Sequence, residues 1–346
     1  MNVIDVIQQD NLFPNGENSH KHKENILYAL VAPILFGLLV GLKDEVVKDC
    51  RGIDKIKLRE LARNYKEGDG DCGICFEYAV HSAIRNKNPL VIERIQDALS
   101  LCGIKGTNTT SILLGFEKSK ILQINNELQN TLTDNSILLT GPYGERVKIK
   151  KHIEDIQKSF LYYSTRKDLP VSIFGIWKAD LFIGNIDTDM WVAASVKINH
   201  LLLRHAQGLA IGIVPSRWEQ ERPIVAKNGM IVCPLLYNGA FMQFFYSAWR
   251  IVYEFIKNDA KIPHERHLAG IEELQVAQYL YKKRDVPVLE LVEDDLRRLA
   301  HPTLLWPEKK NIITTDTLNN CSEDYTKSTI ITPNSIISPY NIKKLF

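Results

Sequence analysis

The chain has 346 residues, 45% of them hydrophobic and 24% charged, a composition ordinary for a globular protein and long enough for two domains or one decorated domain. Its net charge of +2 argues neither for nor against a nucleic-acid partner, so any such surface must be a local patch. The six cysteines, Cys50, Cys72, Cys75, Cys102, Cys233 and Cys321, are scattered, and the amino end reads as lacking a secretory signal; together these predict free thiols in a reducing, cytoplasmic setting.

In chain order, residues 1–25 are polar. Ile26–Leu42 (ILYALVAPILFGLLVGL) is uncharged and mostly apolar. At about 17 residues it sits at the low limit for spanning a bilayer. Pro33, Gly37 and Gly41 favour a buried core helix broken near Pro33, with no membrane partner; a membrane span is the second reading. Lys43–Tyr65 carries Val, Ile and Leu at helical spacing. Residues 1–65 therefore read as a helical amino-terminal region.

Asp71 is placed to cap a helix running to about Asn86, whose apolar stripe is Phe76, Ala79, Val80, Ala83 and Ile84. Glu77 lies off that stripe, and by position alone it reads as solvent-facing. Cys72-x-x-Cys75 has the spacing of half a zinc site or of a redox pair. No second such pair stands at usable spacing, which favours buried or incidental thiols. Pro89–Leu101 reads as a second amphipathic helix, Gly103–Thr110 as a polar loop, and Ser111–Phe116 as an apolar run. Asn125–Asp134 fits a helix or a loop. Ile137–Thr140 and Arg146–Ile149 pair as a hairpin around Gly141-Pro142-Tyr143-Gly144. The most basic run follows, with Lys148, Lys150, Lys151, His152 and Lys158. A solvated helix face is its plain account. Phosphate contact is the functional one, with Tyr143, Tyr162 and Tyr163 placed to stack on bases.

Val171–Pro215 holds three β-favouring runs, Val171–Gly184, Trp191–Ile198 and Leu209–Val214, bounded by turn residues. A hairpin closed symmetrically about Thr188 and Asp189 sets Asp180 opposite Lys197, with Ser195 on the same face. The plain reading is a cross-strand salt bridge at the rim of a sheet, and a one-residue slip would abolish it. From Asn199 to Gln207 there is room for about two and a half helical turns. That is short for a crossover between parallel strands, so the third run pairs differently or follows a stub of helix. Beyond it come a charged loop at Arg217–Arg222, a strand at Met230–Leu236, a helix at Phe241–Ile256, a possible strand at Val286–Leu291, and helices at Glu272–Lys282 and Glu293–Ala300. From Glu308 onward Asn, Thr, Ser and Lys predict a loosely ordered tail. The organisation reads as 1–65 helical, 66–236 an α/β core, 237–307 helical and 308–346 tail.

The combination of Asp180 on one strand, Ser195-x-Lys197 on the next and Glu77 on an earlier helix resembles the PD-(D/E)XK nuclease superfamily. Those proteins place an Asp on one strand and Glu-x-Lys on the following one, then a helix and a further strand; many carry a Glu on the first core helix. The resemblance covers roughly residues 70–235. It departs at Ser195, a weak metal ligand where the family has Glu or Asp. It implies a restriction-endonuclease-like mixed β-sheet flanked by helices, with helical regions added at both ends. It implies Mg²⁺ or Mn²⁺ as cofactor, Asp180 as metal ligand, Glu77 as a second ligand, Lys197 orienting the attacking water, and Ser195 facing the metal. Gln207, by proximity, is placed near the scissile phosphate. The implied activity is hydrolysis of phosphodiester bonds in DNA, with RNA left open, in restriction or anti-phage defence. Implied partners are a separately encoded helicase or ATPase, or a second copy of the chain. The alternative is a catalytically degenerate module on the same fold that binds nucleic acid or protein.

Overall fold

In the computed structural model the described residues are 17–66, 71–114, 126–141, 144–173, 176–203, 209–216, 222–226, 229–237, 240–268 and 270–300. Helix α1 spans Glu17–Val40 without the expected break: Pro33 lies inside it. Proline removes the N–H that would bond the carbonyl one turn back. The helix keeps its course because it is packed all round, with Ile26, Leu27, Tyr28, Leu30, Val31, Ile34, Leu35 and Phe36 all buried. A helix apolar on every side belongs in a core or a membrane. Among the described residues α1 alone is long and apolar enough to cross a bilayer, and 72% of its apolar window is buried within the fold. The helical spacing of Lys43–Tyr65 resolves into α2 (Asp44–Asp49) and α3 (Leu58–Asn64). The break falls at Arg51 and Gly52, with φ of 64° and 126°.

Helix α4 spans Asp71–Arg85 and α5 spans Pro89–Leu101. Asn88 caps α5 by accepting from the Leu90 and Val91 N–H groups, and Pro89 sits where no amide partner is needed. Strand β1, Thr109–Leu113, begins inside the expected polar loop; Thr109 and Thr110 are buried. Then come α6 (Asn126–Thr131), β2 (Ile137–Thr140), β3 (Glu145–Lys148) and α7 (Ile153–Leu161). The central hairpin is β4 (Leu181–Asn185) and β5 (Met190–Val196). It is followed by β6 (Ala210–Ser216), β7 (Ile224–Val225) and β8 (Met230–Leu236). Helices α8 (Ala240–Lys257) and α9 (Ile271–Lys282) complete the packing with α10 (Val288–Glu290), which continues through a π-helical stretch, Leu291–Leu296, into Arg297–Leu299.

The eight strands form one open mixed sheet in the order β1-β4-β5-β6-β8-β7. β1, β4 and β5 run antiparallel; β5, β6 and β8 run parallel. β2 lies parallel to the first half of β5, on the edge that β6 occupies further along, and carries β3 outside it. Period-two alternation divides the sheet between two cores. Leu181, Ile183, Val192, Ala194 and Val196 face the larger core, shared with α1, α4, α5, α8 and α9. Phe182, Trp191 and Ala193 face the smaller one, with Ile149, Ile153, Ile156, Leu169, Ile173 and Ile176. Helices thus cover both faces.

Two further expectations are corrected. Val171–Gly184 is not one strand: Val171–Ile173 and Ile176–Lys178 are single 3₁₀ turns, and extended pairing begins at Leu181. Leu169, Ile173, Ile176 and Ala179 pack into the smaller core at intervals of three and four, a helical rather than a strand period. Val286–Leu291 is not a strand, because its chain turns helical at Val288 and makes a single bridge, Lys57 with Pro287. Of the two alternatives for the third run, the stub of helix holds: the run pairs parallel to the second, and the link from Lys197 to Leu209 carries a 3₁₀ turn at His200–Leu202.

Candidate functional site

Asp180 and Lys197 sit where the β4–β5 hairpin leaves the sheet. Asp180 directly precedes β4, and its backbone N–H donates to the Ala194 carbonyl at 2.8 Å. Leu181 pairs with Ala194 and Asn185 with Met190. The register therefore places Asp180 opposite Ser195, two residues from the symmetric closure that set it opposite Lys197. A shift of two keeps the same face, so the three side chains still meet. The offset comes from the turn, Ile186–Asp189. The Asn185 side-chain oxygen accepts from the Asp187 and Thr188 N–H groups, and Asp189 takes a positive φ of 49°. Lys197 follows the last residue of β5 and continues the ladder by donating its N–H to the Ile213 carbonyl at 2.9 Å.

Asp180 is 3% exposed and Ser195 5%. The Asp180 Oδ2 accepts from the Val196 N–H at 2.9 Å, the Ser195 hydroxyl at 3.2 Å and the Lys197 Nζ at 2.6 Å. The same Nζ donates to Glu77 Oε1 at 2.8 Å. Glu77 is therefore not solvent-facing: its side chain is 15% exposed, because α4 lies over β1 and β5. Burial pulls the Lys197 ammonium toward lower pKa, but the Glu77 and Asp180 carboxylates outweigh it and hold the group above its ordinary value. Hard carboxylate oxygens are the donors that Mg²⁺ and Mn²⁺ take, and two of them completed by water and a substrate phosphate suffice for Mg²⁺. Among the described residues no group of three or more His, Cys, Asp or Glu converges to hold a metal.

The basic run lies elsewhere. Lys148 pairs with Ile137, and Ile137 with Met190 at the start of β5, whereas Lys197 follows its end. At strand spacing that is about 20 Å from the Asp180 cluster. Lys148, Lys150 and Lys151 are exposed, and Lys150 pairs with Asp134 at 3.0 Å. Tyr162 and Tyr163 are exposed, with the Arg166 guanidinium 4.9 Å from the Tyr163 ring centre. Gln207, Tyr143 and the tail 308–346 lie outside the described residues.

Cys50, Cys72, Cys75, Cys102 and Cys233 are free. Burial pushes the Cys72 thiol up to about 12, and the Cys75 thiol donates to the Ile34 carbonyl at 3.3 Å. This is packing, not a poised redox pair. Sequence reasoning missed one polar contact near the site. His81, one turn beyond Glu77, is fully buried and its Nδ1 meets Ser111 Oγ at 2.9 Å. Burial first, then the Arg85 charge, pushes its pKa down to about 3. The available signal was its place four residues after Glu77, flanked by the small or apolar Tyr78-Ala79-Val80 and Ser82-Ala83-Ile84.

No family model, curated protein or solved structure matches this chain.

Proposed function

We propose that Asp180, Glu77 and Lys197 form the active site of a divalent-metal-dependent nuclease. The observation that carries this reading is a single ammonium joining carboxylates from two distant segments, Glu77 on α4 and Asp180 at the head of β4. The order along the chain supports it: helix with Glu, strand preceded by Asp, antiparallel strand that carries Ser195 and is followed by Lys197, crossover, parallel strand. This resembles the PD-(D/E)XK arrangement and supports a restriction-endonuclease-like core. Asp180 and Glu77 would hold Mg²⁺ or Mn²⁺. When bound, the ion supplies charge neutralisation at phosphorus and a more acidic water. Lys197 offsets negative charge and orients the attacking water. The Val196 N–H and the Ser195 hydroxyl hold Asp180 in place. DNA is the proposed substrate. The exposed Lys148–Lys151 run, at the far end of β5, would contact phosphates about 20 Å from the cut.

The second reading, a binding module with a lapsed active site, is favoured by one observation. Ser195 is buried as a donor to Asp180 where the family carries an acid. Purified protein incubated with plasmid and single-stranded DNA and Mg²⁺ or Mn²⁺ separates the two. The nuclease reading expects cleavage that falls at least about 100-fold in Asp180→Asn and Lys197→Ala, the scale of a lost electrostatic or acid–base contribution. It also expects Ser195→Glu to tighten metal binding. If wild type and Lys197→Ala behave alike on every substrate, and Ser195→Glu only lowers the melting temperature, the binding module stands instead.

A further inference from the structure

We infer that Lys197 is a built-in counter-cation that occupies the Asp180–Glu77 site until a divalent ion displaces it, an inference that rests on the metal site proposed above. Its Nζ lies 2.6 Å from Asp180 Oδ2 and 2.8 Å from Glu77 Oε1. The two side chains are only 5% and 15% exposed. Carboxylates so placed repel each other unless a cation stands between them. Asp180 is fixed, since its Oδ2 is also held by the Val196 N–H and the Ser195 hydroxyl. Lys197 is the movable member: its ammonium ends a flexible four-carbon stem, and its side chain is 24% exposed, the most of the three. An ion held by both carboxylates would compete with the Nζ for the oxygens it now contacts. With such an ion bound, Lys197 would be released outward, toward the place where it can meet a water or a phosphate. Metal affinity in this protein is set by how readily Lys197 gives way.

The test is Mn²⁺ binding, read by the loss of free-ion paramagnetic resonance signal and by thermal melting, in wild type and in Lys197→Met, which keeps the stem and removes the charge. The expected result is Mn²⁺ bound about tenfold or more tightly by Lys197→Met, since its carboxylates have no competing cation. Without metal the variant should melt below wild type, and Mn²⁺ should raise its melting temperature more than it raises that of wild type. Adding Glu77→Gln to Lys197→Met should abolish the gain. Lys197→Gln serves as the second variant if Lys197→Met does not fold. Equal or weaker Mn²⁺ binding in the lysine variants overturns the inference, even if wild type cleaves DNA. Tighter binding in a protein whose wild type cleaves nothing leaves the inference standing and removes the nuclease reading.

Discussion

Asp180 accepts three hydrogen bonds through a single oxygen, from the Val196 N–H, the Ser195 hydroxyl and the Lys197 ammonium. This explains how a buried carboxylate is tolerated at the edge of an apolar sheet, since charge is buried at acceptable cost only when paired and hydrogen-bonded. His81, nearby on α4, is the opposite case: a titratable group kept neutral by burial. In the unfolded chain His takes up its proton near pH 6.5, whereas in the folded protein it resists protonation down to about 3. Between those values the unfolded state binds the extra proton. Stability contributed by neutral His81 is therefore full above pH 6.5 and is lost as pH falls, by up to about 1.4 kcal/mol per unit. Denaturant titrations from pH 7 to pH 5 should show wild type losing stability more steeply than His81→Gln, which keeps a partner for Ser111. Equal slopes would place the acid sensitivity elsewhere.

The β4–β5 hairpin is the element that sets the site, and its tip fixes its register. Asp189 accepts from Thr133 Oγ1 at 2.5 Å, Ser136 Oγ at 2.6 Å and Trp191 Nε1 at 2.9 Å, which ties the turn to the loop before β2 and to the smaller core. Asp189→Ala strands those donors and leaves alanine at a positive φ. The expected cost is about 2–4 kcal/mol, read as a lower denaturant midpoint with an unchanged slope. A cost below about 0.5 kcal/mol, the range of ordinary surface changes, would show that the tip does not hold the register. The hairpin also shows what the sequence can and cannot convey. The β-favouring run Trp191–Val196 and the turn residues at Asn185–Asp189 make two paired strands legible. The side chain of Asn185 recruits Asp187 and Thr188 into the turn and so shifts the centre of closure; which residue plays that part is a tertiary choice. The error was an even number of residues, so Asp180, Ser195 and Lys197 were correctly placed on one face. Val171–Lys178 reads as a strand by composition, whereas Ile173 and Ile176 reach the smaller core from 3₁₀ turns at helical spacing. Glu77 was legible only through its link to Asp180, since its own helix position argued for solvent.

Over the whole molecule, one hydrophobic cluster runs from Ile26 on α1 through the sheet to Leu296. Helix α1 is its centre, in contact with α4, α8 and α9. The apolar composition of Ile26–Leu42 shows burial but not what does the burying, because membrane and core impose the same pattern. The two surroundings predict different responses to a buried charge. Leu35 is fully buried. If α1 is the hub of the fold, Leu35→Asp places an unpaired carboxylate inside the larger core and costs about 4 kcal/mol or more. That is comparable with the whole stability of a typical domain, about 5–15 kcal/mol. The sheet should then lose its cooperative melt together with the helices, seen as coincident loss of far-UV and near-UV circular dichroism. Glu45→Lys, on the exposed surface of α2, should leave the transition within about 1 kcal/mol of wild type. Were α1 instead a separable anchor, Leu35→Asp would leave the melting of the sheet unchanged and alter only partition into detergent, and the account of α1 as the core helix would have to be given up.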